Sequence, residues 1–204
     1  ICQKQSIYFD PATEDLETIQ HHTVDFLGIN QYYPKRVRAP RYQWNEETPF
    51  HPERYYEVFD LPGKKMNNSR GWEIYPKIMY DIAMYLKENY HNIPWLITEN
   101  GMGREHEERY MDEKGIVQDD YRIEFIGQHL RYLIKATEEG ANCEGYMLWA
   151  FTDCVSPMNA FKNRYGLVRI ELNDERSRTL KKSASWYQTL IDKRELDLPD
   201  EIYK

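Results

Sequence analysis

The stretch Pro94-Trp95-Leu96-Ile97-Thr98-Glu99-Asn100-Gly101 decides how this chain folds. Trp95, Leu96 and Ile97 are apolar without alternation, so the strand they predict is covered on both faces. The run then breaks into a carboxylate, an amide and a glycine, the make-up of a strand end opening into a loop. Upstream, Pro76 is suited to open a helix, because its missing N–H is not needed in a first turn. Ile78, Met79, Ile82 and Leu86 follow at helical spacing. Downstream, after a polar excursion to Asp119, Ile123, Ile126, Leu130, Leu133 and Ile134 predict a second helix, with Gly140 as its stop.

Two further runs repeat this plan. Val24-Asp25-Phe26-Leu27-Gly28-Ile29-Asn30 precedes the central strand, and Gly145-Tyr146-Met147-Leu148-Trp149-Ala150-Phe151 follows it. Asp10-Pro11 can open a short helix through Leu16 and Ile19. A long loop rich in Pro, Tyr and charge fills residues 31–70, a length that is usually functional. Tyr165 to Leu172 reads as a short extended piece. Leu180, Ala184, Tyr187, Leu190 and Ile191 mark a last helix. Three strand–loop–helix units in series argue for parallel strands covered by helices, joined by right-handed crossovers. A closed (β/α)8 barrel takes about 250 residues. Three units therefore make either a small open sheet or a portion of a barrel.

Composition removes several classes. The 204 residues allow one domain, and 10 Gly with 10 Pro are too few for a low-complexity chain. A formal charge of -7 gives no basic field to hold nucleic acid or anionic membrane. No apolar run approaches the length of a membrane span. Cys2, Cys143 and Cys154 are an odd set without metal-ligand spacing, which fits a reducing, cytoplasmic setting rather than a disulfide framework. Neither a metal nor a cofactor is implied. Aromatic residues reach 14%, with 17 Tyr, a mild pointer to a stacking ligand such as sugar. Ile1 stands where a Met would open a complete chain, so an upstream part is expected.

Ligands meet parallel sheets at the carboxyl ends of their strands. Here those ends carry Asn30 with Tyr32 and Tyr33, then Glu99 with Asn100, then Trp149 with Asp153. Glu99 alone could be a capping or salt-bridged acid, and Trp149 alone a core residue. Together they supply a carboxylate, phenols to donate to it, amides and an aromatic plate. That set suits work on a sugar.

The residues also carry a likeness. Leu96-Ile97-Thr98-Glu99-Asn100-Gly101 resembles the nucleophile motif of glycoside hydrolase family 1, the retaining β-glycosidases. The resemblance runs from residues 25–33 through Gly71-Trp72-Glu73-Ile74-Tyr75-Pro76 and residues 145–149 to Arg164-Tyr165-Gly166-Leu167-Val168 and residues 182–187. It implies a partial TIM (β/α)8 barrel in which the three strands are the sixth, seventh and eighth. Residues 1–204 would then be the C-terminal part of a longer enzyme. By the same likeness Glu99 is the nucleophile, Tyr32 its hydrogen-bonding partner, Asn30 a sugar contact, and Trp149 a plate under the ring.

The family's acid/base lies in an Asn-Glu-Pro motif that this sequence lacks. Asn45-Glu46 imitates it, but Glu47 follows in place of Pro and no apolar strand precedes it. The chain alone is thus expected to be inactive. Ser156-Pro157 stands where members acting on plain β-glucosides carry Glu-Trp. Ser156 and Tyr165 resemble two of three residues that grip a sugar 6-phosphate. The third, a Lys, is Asn163 here, flanked by Lys162 and Arg164, so Ser156, Lys162 and Tyr165 are the expected phosphate donors. The substrate is expected to be a 6-phospho-β-glucoside; the alternatives are a plain β-glucoside or a non-catalytic sugar-binding or assembly module. Three parallel units leave open sheet edges, so self-association, or contact with the missing N-terminal barrel part, is expected. His21-His22 read as helix-end residues, and Glu105 to Arg109 as a solvated charged loop.

Overall fold

The computed structural model describes residues 8, 10–42, 51–173 and 175–197. Three parallel strands form the centre: β1 (Leu27–Asn30), β6 (Trp95–Asn100) and β7 (Cys143–Leu148), in the order β1-β6-β7. Between them run the helices α2 (Ile78–Asn89) and α3 (Asp120–Glu138). Met79, Ala83 and Leu86 of α2 and Leu133 and Ala136 of α3 bury against Trp95 and Ile97 of β6. The helical spacing of these residues turns one face of each helix onto the sheet. A second cluster, Met102, Phe125 and Ile126, fills the space toward the carboxyl ends of the strands.

The remaining elements are short. α1 (Thr13–His21) precedes the sheet and has no buried residue; Leu16 and Ile19 are exposed. Residues 31–70 contain two-residue ladders rather than one unbroken loop. β2 (Val37–Arg38) pairs with β3 (Glu57–Val58), and β4 (Met66–Asn67) pairs with β5 (Trp72–Glu73). The charged pairs Arg36–Glu73 and Arg38–Glu57 tie this region together. Asn45-Glu46 lies outside the described residues.

After β7, β8 (Val168–Ile170) pairs antiparallel with β9 (Arg178–Leu180), and α4 (Lys182–Lys193) follows. Leu180 therefore ends a strand instead of starting the last helix. Strand pairing with Val168 claims it, and the helix begins only after Lys181.

β1 and β7 are the outer strands of the sheet among the described residues. Apolar side chains stay uncovered beside both. Val24 and Phe26 are exposed on the β1 side, and Met147, Phe151 and Ile191 on the β7 side. An open recess lined by Leu148, Phe151, Leu167, Leu180 and Tyr187 adjoins that second group.

Candidate active site

Register sets the site. Asn30, the last residue of β1, pairs with Glu99 of β6 after an irregularity at Ile29/Asn30, and Asn100 pairs with Leu148 of β7. The three polar strand ends thus lie side by side. Just past β1, the Tyr32 hydroxyl donates to Glu99 Oε2 at 2.7 Å. Burial, followed by the hydrogen bond to Glu99 and its charge, pushes the Tyr32 phenol above its ordinary range. It therefore keeps its proton and remains a neutral donor.

The neighbours of Glu99 are held from both sides. Its carbonyl accepts from the Gln31 N–H at 2.8 Å. Asn100, fully buried, donates to the Gln31 carbonyl at 2.7 Å and accepts from the Tyr146 hydroxyl at 2.6 Å. The Trp149 N–H closes the third side by donating to the Asn100 carbonyl at 2.8 Å. Asn30 Oδ1 accepts from the Thr98 hydroxyl at 2.6 Å, so its amide nitrogen remains to donate.

Trp149 is 39% exposed and is joined to Ala150 by a cis peptide. A Cβ on Gly101 would lie 1.8 Å from the Trp149 carbonyl oxygen, so only glycine admits that approach. Gly103 does the same for Tyr165: a Cβ there would come within 2.3 Å of its ring. Tyr165 is 7% exposed, and burial pushes its phenol up, against the field of Arg70. Glu105 begins a different group. Lys162 pairs with it at 3.4 Å and shares a polar recess with it, Phe161, Arg164 and Arg169. Ser156 closes a tight turn with Ala160, and its oxygen accepts from the Met158 N–H at 3.2 Å. Tyr32 thus meets Glu99 directly, Asn30 and Trp149 join the same strand ends through Thr98 and the Asn100 carbonyl, and Tyr165 lies within electrostatic reach of Tyr32. Lys162, by contrast, is turned to a carboxylate in a recess that neither Ser156 nor Tyr165 lines.

The charged segment 105–109 is exposed at His106, Glu108 and Arg109, as a solvated loop would be, but not at Glu107. It contains a 3-10 turn, Glu107–Tyr110, and Glu107 is only 3% exposed. Glu107 accepts from Arg122 at 2.6 Å, Lys181 at 2.5 Å and the Tyr121 hydroxyl at 2.5 Å. Burial opposes its charge, but Arg122 and Lys181 prevail and hold its carboxyl below the usual range. Lys181 also reaches Asp153 at 2.9 Å, and Arg122 pairs with Asp119. Asp153 accepts from the Gly166 N–H at 3.0 Å, beside Tyr165. Asp153 thus builds the loop rather than the sugar face. Its partners lie far away in sequence, so no local pattern announces the network.

An aromatic wall also went unread. The Trp72 ring stacks on Tyr33 at 4.8 Å and meets Tyr32 at 5.5 Å. Its place at the start of a turn-linked ladder was the available signal.

The family model of glycosyl hydrolase family 1 matches residues 1–196. The chain belongs to that family. Among curated members, the 6-phospho-beta-glucosidase GmuD of Bacillus subtilis (strain 168) is 52% identical over 183 residues, covering 90% of this chain and 39% of that protein. A 6-phospho-beta-galactosidase of Clostridium acetobutylicum is 32% identical over 207 residues, covering 93% of this chain and 41% of its own length. The solved family 1 β-glucosidase of Thermotoga maritima superposes with a TM-score of 0.73 at 27% identity, over 90% of this chain and 38% of that one. The chain thus spans about two fifths of the length of the family 1 proteins it matches. Its three parallel strands and their helices are part of a (β/α)8 barrel. No helix among the described residues is long and apolar enough to cross a membrane.

Proposed function

We propose that this chain is the C-terminal part of a retaining β-glycosidase that cleaves 6-phospho-β-glucosides, with Glu99 as nucleophile. The hydrogen bond from Tyr32 to Glu99 at 2.7 Å carries the reading. A nucleophilic carboxylate must be ionised and aimed, and a neutral phenol kept protonated by burial does both without adding a charge. Glu99 attacks the anomeric carbon as the bond to the leaving oxygen breaks, and water later releases the sugar. Asn30 donates to a sugar hydroxyl, and Trp149 faces the ring. Ser156, Lys162 and Tyr165 are assigned to the phosphate, with Lys162 leaving Glu105 to reach it.

The printed names of the relatives support a phosphorylated substrate. The second carboxyl group comes from outside this chain, which lacks Asn-Glu-Pro. General acid catalysis contributes about 10²–10⁴-fold, so the chain alone turns over no unactivated glycoside. The uncovered apolar residues beside β1 and β7 support contact with the rest of a barrel or with another copy. Cys143 and Cys154 are free thiols, as suits a cytoplasmic enzyme.

The test joins the chain to the part it lacks, by putting it in place of the matched segment of the B. subtilis relative. The chimera should hydrolyse p-nitrophenyl 6-phospho-β-glucoside and release the β-anomer first. Glu99→Gln should abolish turnover. First release of the α-anomer, or turnover surviving Glu99→Gln, overturns the assignment.

A further inference from the structure

An anionic substrate is received at least cost by a cation that has no carboxylate pair to give up. The cations around the site can be sorted by their partners among the described residues. Arg36 is held by Glu73, Lys162 by Glu105, and Arg164 by Asp153. Arg104 also has no carboxylate partner and an unpartnered Nε, but it donates to the Tyr110 hydroxyl and lies over the Tyr121 ring, whose hydroxyl belongs to the Glu107 network. Arg70 differs in lying on Trp72, the ring that meets Tyr32 and Tyr33. Its guanidinium lies 4.3 Å from the Trp72 ring centre, no carboxylate pairs with it, and its buried Nε has no hydrogen-bond partner.

The place of Arg70 is fixed by the ladder that carries it. It sits in the turn between β4 and β5, where its N–H donates to the Asn67 carbonyl at 3.1 Å. Asn67 in turn donates to the Gly103 carbonyl at 3.0 Å, and Gly103 is the residue on which the Tyr165 ring rests. The Ser69 hydroxyl accepts from the Glu105 N–H at 3.1 Å. Arg70 is thus docked against the loop beneath Tyr165. One aromatic ring, Trp72, separates it from Tyr32. Its positive field reaches the Tyr165 phenol.

A guanidinium lying over an indole can offer its two terminal N–H groups for bidentate recognition, and it is more weakly hydrated than an ammonium. Arg70 has no carboxylate pair to break, whereas Lys162 must leave Glu105 before it can join the phosphate. We propose that Arg70 is a specificity-determining residue that receives the 6-phosphate beside Tyr165 and so selects phosphorylated over plain β-glucosides. This rests on the phosphorylated-substrate reading above.

The experiment compares glucose 6-phosphate with glucose as ligands of the chain itself, read by tryptophan fluorescence and by ligand NMR. The same comparison is made as kcat/KM for the two nitrophenyl glucosides with the chimera. Arg70→Gln should lower the phosphate-over-plain ratio by about 10- to 100-fold, the usual strength of a hydrogen bond to a charged group. Arg70→Lys should restore part of it. An unchanged ratio in Arg70→Gln, or an equal loss on both sugars, overturns the role of Arg70. Absence of any preference for phosphate in the unaltered protein overturns the phosphorylated-substrate reading instead. A chimera inactive on both glucosides is scored by the affinity ratio for the two ligands, under the same criteria.

Discussion

Tyr146, on β7, donates its hydroxyl to Asn100 Oδ1 at 2.6 Å and so grips the residue that follows Glu99 on the neighbouring strand. Asn100 passes the restraint on to β1 through the Gln31 carbonyl. The nucleophile candidate is therefore aimed by a buried polar relay across all three strands, beneath its direct contact with Tyr32. Burial pushes the Tyr146 phenol well above its ordinary range, so it stays a neutral donor at neutral pH. Tyr146→Phe leaves a buried acceptor unpaired, at a cost of about 1–3 kcal/mol. The shift of a urea unfolding curve measures it.

Tyr32→Phe should lower kcat of the chimera by about 10- to 100-fold, the scale of a small misplacement of a reacting group. KM should change much less. Because the Tyr32 phenol is raised, it keeps its proton past the ordinary tyrosine range. An alkaline limb between about pH 8 and 10 in the wild-type rate would therefore belong to another group. A Tyr32→Phe profile that loses this limb would count against the assignment.

Lys181 is completely buried between Glu107 and Asp153. Lys181→Met removes the cation and leaves two carboxylates short of a partner, so unfolding should cost about 3–5 kcal/mol less. Exposed Lys182, paired with Asp120 at 2.6 Å, provides the contrast. Its removal should barely move a urea midpoint.

His129 is buried, and its Nδ1 donates to the Phe125 carbonyl at 2.7 Å. Burial pulls its pKa down to about 4. Unfolded, it titrates near about 6.5. Between those values the unfolded chain binds a proton that the folded chain does not. Stability is thus fully present above about pH 6.5 and falls toward pH 4, by about 3 kcal/mol in all. Glu107 and Glu73, whose carboxyls are lowered, add losses at still lower pH, as each passes through its folded value. Denaturant curves of His129→Leu from pH 7 to pH 4 should show a shallower slope. An unchanged slope would refute the contribution.

Gly103→Ala puts a methyl into the Tyr165 ring. Either the ring or the loop must move, and crowding of this kind costs about 1–3 kcal/mol. The chimera should lose activity on the phosphorylated glucoside more than on the plain one. Equal losses would show that Tyr165 is only a packing residue.

Sequence reading reached the strands because each is an apolar run ending in polar residues, and it reached α2 and α3 because their periodicity is uninterrupted. Strand ends alone placed Asn30, Tyr32, Glu99 and Trp149 at one end of the sheet. Glu107 was misread for a physical reason. A run such as Arg104-Glu105-His106-Glu107-Glu108-Arg109 looks solvated until Arg122 and Lys181, which only the fold brings near, are placed around one member. Arg70 and Trp72 were missed similarly, since their meaning depends on how the β4–β5 turn docks on Gly103.

The outer strands β1 and β7 leave backbone donors and acceptors on both margins of the sheet. A wall with two such seams has a reaction order as well as a structure. If catalysis requires a second polypeptide to close it, the rate per chain will fall on dilution and rise with a titrated complement.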